Sequence, residues 1–313
     1  MKRFIDHDEL ARDERFVRQH NVLSTVLDGV EDSVEAVVAA IEKHAPLFEA
    51  SVRGTGAEAL FERYGPGMLL VRSSEPMDPA HPAVRTQLKL RLHGVFVGEL
   101  QALEGAARSL WDFPETPWDF QMNMARQCWD EARHVQVFEK LLEHVGVEPG
   151  MFPESTFLFE CACHQDPAMR VAGVNRALEG LACDVFRDII RFAQESGDET
   201  LRQAVDFVLA DEITHVRFGS EWVRDFTRDD PDYARRVSDF RRQVDRQFSF
   251  GGARSAREDA SIPIAREDRL EAGFSPEELS DLEELSGRGP SSETLREALH
   301  VLRERHQARR QTG

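Results

Sequence analysis

The chain is 313 residues long, 41% hydrophobic and 31% charged, and carries a formal net charge of −18. That length permits one large domain or two small ones with a substantial core, and the acidic field argues against nucleic acid as a partner, a local basic pocket aside. No run of about 18 apolar residues exists, the start lacks the apolar segment of a secretory signal, and the four cysteines (Cys128, Cys161, Cys163, Cys183) suggest no disulfide scaffold, so the expectation is a cytoplasmic protein without a membrane span.

Residues 1–83 read as an irregular helical extension that packs on the longer helices after it. Apolar residues recur there at helical spacing over 22–48, and the three prolines of SSEPMDPAHP (73–82) interrupt the chain. Four longer helical runs come next, over about 84–111, 117–145, 168–195 and 199–227. WDFPETPW joins the first two and ESGDE the last two, and links this short make antiparallel neighbours. Gly197 reads as a helix stop and Asp198 as an N-cap. The connection over 146–167 is long; about 20 extended residues reach over roughly 40 Å, enough to run along a bundle. A helix over 232–248 comes after the fourth run, then the linker GGARSAREDASIPIARED. Ser275 and Glu278 form a capping box, with Pro276 at the first helical position, and a charged helix ends the chain. The expected fold is all-α: a four-helix bundle at 84–228, flanked by N-terminal helices (1–83) and a C-terminal helical extension and linker (229–313).

The second and fourth runs each carry Glu-x-x-His at the centre of an apolar stripe. Glu131 and His134 stand between Met124 and Phe138, and Glu212 and His215 between Val208 and Trp222. Each preceding run has one acid on its inward stripe, Glu99 in the first and Glu179 in the third. Glu99 precedes Glu131 by 32 residues and Glu179 precedes Glu212 by 33, so antiparallel hairpins bring each lone Glu level with a Glu-x-x-His. Glu104, on a neighbouring face, is the alternative to Glu99, and the level matching favours Glu99. A buried carboxylate costs several kcal/mol and four together repel, so the cluster needs protons or cations. Two divalent metals cancel four carboxylate charges, and two imidazoles complete the set Glu99, Glu131, His134, Glu179, Glu212 and His215. Such oxygen-rich, imidazole-capped sites favour iron, then manganese, over zinc. One Glu-x-x-His is most often a solvated pair; its doubling, with an equidistant Glu each time, carries the reading.

Over about 90–225 the chain resembles the ferritin-like di-iron carboxylate superfamily, in which two helices each supply a Glu and two others a Glu-x-x-His. DEARH (130–134) is similar to the Asp-Glu-x-Arg-His string of the hydroxylase subunits of bacterial multicomponent monooxygenases; DEITH (211–215) departs from it at Thr214. The resemblance implies that Asp130 and Asp211 hydrogen-bond ligand histidines and set their tautomers. Arg133 either pairs with an acid near the site or is exposed. Where relatives carry a threonine near bound dioxygen, four residues after the third-helix Glu, this chain has Cys183, a weaker donor. Cys183 reads as a pocket residue or equally as core. Cys128 reads as core, and CACH (161–164) lacks a matching second pair for a metal. Tyr64 and Tyr233 fall outside the four central helices, which argues against a radical-storing tyrosine of the ribonucleotide reductase kind. Trp111, Trp118, Trp129 and Trp222 read as core or bundle-end packing, Trp222 as a candidate pocket wall.

The implied activity is that of a non-haem di-iron oxidase or oxygenase. It would activate dioxygen to oxidise a small or medium organic substrate by hydroxylation, N-oxygenation, desaturation or oxidative cleavage. The implied cofactor is two iron ions, or a manganese–iron pair, and the implied partner an electron donor. Three other readings stand beside it: iron or peroxide handling as in ferritins and rubrerythrins, a tRNA-modifying di-iron hydroxylase, and a metal-free helical scaffold. A homodimer is the default assembly.

Overall fold

The computed structural model describes residues 27, 30–43, 45–46, 58–70, 82–152, 156–245, 263–286, 290 and 292–312. The beginning of the expected 22–48 helix, all but the last residue of the 73–82 interruption, and the linker up to residue 262 lie outside these residues. The described elements are all helical, with no strand among the described residues, so the fold is all-α. In chain order they are α1 (Val34–Lys43), α2 (Glu58–Tyr64) running into a 3-10 turn (Gly65–Leu70), α3 (Pro82–Asp112) and α4 (Trp118–Val145). Next come α5 (Phe157–Ala162), α6 (Pro167–Val171), a π-helical stretch (Ala172–Leu178), α7 (Glu179–Ser196) and α8 (Glu199–Thr227). The chain continues through α9 (Pro231–Val244), α10 (Arg266–Glu271), α11 (Pro276–Ser286) and α12 (Ser292–Thr312).

Local chemistry explains the turns. Between α3 and α4, the Gln121 amide reaches back and donates to Phe113 O at 2.7 Å and Thr116 Oγ1 at 2.6 Å. At the end of α7, Gly197 takes φ 70° and the Asp198 N–H donates to Ala193 O at 2.9 Å, a left-handed stop that only glycine adopts readily. Asp198 then caps α8 by accepting from the Leu201 N–H at 3.0 Å. The capping box forms at α11: Ser275 Oγ accepts from the Glu278 N–H and Glu278 Oε2 from the Ser275 N–H.

Two features add to the sequence reading. Within the 146–167 connection α5 lies against α3; a Cβ at Gly105 would stand 2.9 Å from the Ala162 Cβ. The third bundle run is helical throughout, over 167–196, but its first part includes a π-helical stretch, where the Glu179 N–H donates to Val174 O, five residues back. A hydrophobic stripe does not reveal one extra residue inserted in a turn.

The α3–α4 and α7–α8 hairpins share the main core, where the Phe138 and Phe186 rings stack at 5.6 Å. That core continues past the four helices, since Phe274, Leu279 and Leu282 of the α10–α11 region belong to it. Phe240 and Val244 of α9 cover the π-helical stretch. Val37 and Ile41 of α1, with Tyr64 and Leu70, pack against Leu295, Leu299 and Leu302 of α12 in a separate cluster. No described helix is long and apolar enough to cross a membrane.

The α10 segment is tied to α7 by a fully buried ion pair. Arg269 Nη2 donates to Asp184 Oδ2 at 2.6 Å and Nε to Oδ1 at 3.0 Å, while Asp184 also accepts from the Ala265 N–H. Arg269→Ala leaves that carboxylate buried without its cation and is expected to cost about 3–5 kcal/mol of stability in a denaturant titration. The pair Asp184→Leu/Arg269→Met should recover most of the loss. A cost below about 1 kcal/mol for the single change would show that the pair does not hold α10 in place.

Candidate metal centre

Six acid and imidazole side chains meet where α3, α4, α7 and α8 come together. Glu99 comes from α3, Glu131 and His134 from α4, Glu179 from the first position of α7, and Glu212 and His215 from α8; all are buried. Two groups have one candidate ligand atom per residue lying within 4.8 Å of the others: Glu99, Glu131, His134 and Glu212, and Glu131, Glu179 and His215. His134 Nδ1 is 3.3 Å from Glu99, 3.0 Å from Glu131 and 3.2 Å from Glu212. His215 Nδ1 is 3.2 Å from Glu131 and 3.8 Å from Glu212. Glu131 is therefore common to both groups, and Glu212 lies closer to His134 than to the histidine on its own helix. Glu104 is exposed, outside both groups.

Around this cluster runs a ring of opposite and alternating charge. The two aspartates reach across the bundle: His134 Nε2 is 3.3 Å from Asp211 of α8, and His215 Nε2 is 3.3 Å from Asp130 of α4. Arg133 donates to both aspartates, at 2.9 Å to Asp211, and Arg126 donates to Asp130 at 2.7 Å. The Arg133 guanidinium also sits over the Trp129 ring at 4.1 Å. With each Nε2 facing an aspartate, the tautomer that carries its proton there leaves a Nδ1 lone pair facing the cluster.

Two amides complete the surroundings, and the sequence reading assigns a function to neither. Gln127 Nε2 donates to Glu131 Oε1 at 3.1 Å and to Glu179 Oε1, while Asn175 Nδ2 donates to Glu179 Oε2 and to Gln127 Oε1, both at 2.9 Å. Gln127 has a sequence signal, since it falls on the inward stripe of its helix. Asn175 lies in the π-helical stretch, so helical spacing does not point to it.

The electrostatics call for cations. Burial raises the carboxyl pKa values of Glu99, Glu179 and Glu212, with neighbouring carboxylates adding to the effect. At Glu131 burial is outweighed by the two imidazoles, which hold it below the usual carboxylate range. Burial pushes both histidines down, but the carboxylates around them prevail and raise them well above the ordinary imidazole range. At Asp130 hydrogen bonds from His215, Arg133 and Arg126 overcome burial and hold the pKa at about 2. The buried His215 Nδ1 lies 3.2 Å from Glu131 and has no hydrogen-bond partner among the described residues. An imidazole nitrogen so placed, among carboxylates with room for one common ion, fits a divalent metal by donor chemistry.

The other candidate residues stand outside the cluster. Cys183 is fully buried in the main core, where burial and then the charge of Glu212 raise its thiol pKa. Cys128 is half-buried, and burial with the Glu131 charge pushes its thiol to about 11. Cys161 and Cys163 belong to neither group. Three tryptophans contradict the packing expectation: Trp111, Trp118 and Trp129 are 85%, 73% and 61% exposed, on outward faces that an apolar stripe does not include. Trp222 packs edge-on against Phe120 at 5.4 Å. A narrow cavity with room for about one water-sized molecule borders Gln127 and Asn175, lined also by Gly105, Ser109, Met124 and Arg170.

Fold and site together define a helical-bundle protein with a buried Glu/His cluster able to hold metal. Residues 49–280, about three quarters of the chain, match the family described as "Protein of unknown function (DUF455)", and the chain belongs to that family. No curated protein matches it.

The crosswise histidine contacts make a prediction that requires no metal. In NMR spectra of protein with 15N-labelled histidine, Asp211→Asn should shift the His134 ring signals more than those of His215, and Asp130→Asn the reverse. Same-helix responses would refute the arrangement.

Proposed function

We propose that the cluster is a dinuclear metal centre, with iron as the metal, and that the protein is a dioxygen-dependent oxidase or oxygenase of the ferritin-like di-iron kind. One observation carries the reading: four buried glutamates and two imidazoles face one another, Glu131 belongs to both groups, and no arginine or lysine pairs with the four among the described residues. When bound, a ferrous pair supplies electrons for reducing dioxygen.

The chain's own residues set the conditions. Glu131 reaches both groups and would be shared between the two ions, with Glu99, Glu212 and His134 holding one ion and Glu179 and His215 the other. Asp211 and Asp130 hold the imidazole rings in orientation from behind, and Arg126 and Arg133 offset the aspartate charges without touching the glutamates. The apolar core excludes bulk water, which strengthens every charge interaction within it. The cavity beside Gln127 and Asn175 has room for about one water-sized molecule and not for an organic substrate.

The test is anaerobic loading with ferrous ion. The chain should retain close to two ions, and metal at about 100 times its dissociation constant should stabilise the fold by about 2.7 kcal/mol for each ion bound. Admitting air should then consume dioxygen, followed with an oxygen electrode. Glu131→Ala and Glu212→Ala should abolish both the retention and the metal-dependent rise in Tm while leaving the helical circular dichroism in place. Retention unaffected by both substitutions, or no retention by the unaltered protein, would refute the proposal.

A further inference from the structure

We infer that the two metal positions are inequivalent and load in order, and that Asn175 is a positioning residue for the second position alone. This rests on the dinuclear reading above.

The ligand groups differ in number and charge. The first offers three carboxylates and one imidazole, from Glu99, Glu131, Glu212 and His134. The second offers two carboxylates and one imidazole, and one of the carboxylates, Glu131, is shared with the first. A divalent ion is therefore more fully neutralised in the first group, which should fill first. The second ion depends on Glu179, the one carboxylate belonging to the second group alone, and on His215, whose buried Nδ1 has no hydrogen-bond partner among the described residues.

Glu179 is also held differently from its counterpart Glu99. Its Oε1 accepts from Gln127 and its Oε2 from Asn175, and the two amides are bonded to each other. No amide donates to Glu99 among the described residues, where His134 is the close partner. Hydrogen bonds on both oxygens fix the Glu179 carboxylate in one orientation before any ion arrives, which removes part of the ordering cost of binding.

The backbone is shaped for this contact. Asn175 lies in the π-helical stretch just before Glu179, and α8 approaches it at Gly219, one turn beyond His215. A Cβ at Gly219 would stand 2.7 Å from the Asn175 Cβ and 3.4 Å from its carbonyl carbon, closer to the Cβ than side chains approach one another. Any larger residue at 219 must displace Asn175. Gly219→Ala therefore moves the amide without changing its chemistry, whereas Asn175→Ala removes it.

The experiment is an anaerobic Co2+ titration of the full chain, read by visible absorption of the bound ion and by equilibrium dialysis. The unaltered protein should bind two Co2+ in two resolved steps. Asn175→Ala should leave the first step in place and weaken the second roughly 10–100-fold, the usual effect of removing a hydrogen bond behind a ligand. Gly219→Ala should give the same selective loss. A persisting first step shows that the variant has folded, which a merely structural defect would not spare. Two equal sites in the unaltered protein, equal weakening of both steps, or no change in either variant would overturn the inference. A protein that binds two Co2+ equally sinks this inference alone, whereas one that binds none sinks the dinuclear reading with it.

Discussion

Charge in a dry interior must be answered by charge, and this chain answers it in two ways. Elsewhere in its core each buried acid meets an arginine: Asp184 meets Arg269 at 2.6 Å, Asp188 meets Arg91 at 2.6 Å, and Asp245 meets Arg241 at 2.8 Å. The four glutamates between α3, α4, α7 and α8 have no such partner among the described residues, only two imidazoles and two amides. An uncompensated buried carboxylate costs several kcal/mol, and a whole domain is stable by only about 5–15 kcal/mol. Four of them, unanswered, would consume that margin. Among the described residues the other buried acids are paired internally with arginines, and the cluster left without one could hold metal ions.

The arrangement around the glutamates keeps that charge from being cancelled prematurely. Arg126 and Arg133 pair with Asp130 and Asp211, the aspartates behind the histidines. The aspartates in turn meet the outer nitrogen of each histidine. Signs thus alternate outward from glutamate to imidazole to aspartate to arginine. The crosswise contacts, Asp211 to His134 and Asp130 to His215, tie α4 to α8 at the level of the cluster. Each helix therefore orients the imidazole presented by the other, and the separation of the two helices is fixed where ligand geometry is most sensitive to it.

Much of this is legible in the sequence because the signals are local or periodic. The four long helices, the Gly197 stop, the Asp198 cap and the Ser275–Glu278 box come from residue chemistry at single positions. The choice of Glu99 over Glu104 comes from counting levels in a hairpin, and the burial of the one and exposure of the other agree with it. What the sequence conceals is register and distance. The extra residue in the π-helical turn, the approach of Gly219 to Asn175 and the crossing of each aspartate to the opposite helix are relations between segments far apart in the chain. The exposed tryptophans escape a sequence reading for a related reason. Large aromatic side chains are usually buried, and only the orientation of α4 and of the end of α3 shows that Trp118, Trp129 and Trp111 face outward.

The sequence repeats itself almost symmetrically, and the structure departs from that symmetry at one place. Two hairpins each present a Glu and a Glu-x-x-His at nearly equal spacing, which by itself gives two equal ligand sets. The π-helical stretch lies in only one of them. It brings Asn175 to the Glu179 carboxylate and, through Gln127, to the shared Glu131. The same two amides border the narrow cavity, so a small molecule lodged there meets Gln127 and Asn175 before it meets a carboxylate. Among the described residues no such pair of amides meets Glu99 on the α3 side. One inserted residue in one helix thus distinguishes the two groups: one of four candidate ligands, and one of three whose Glu179 is held by two amides beside a cavity of about one water.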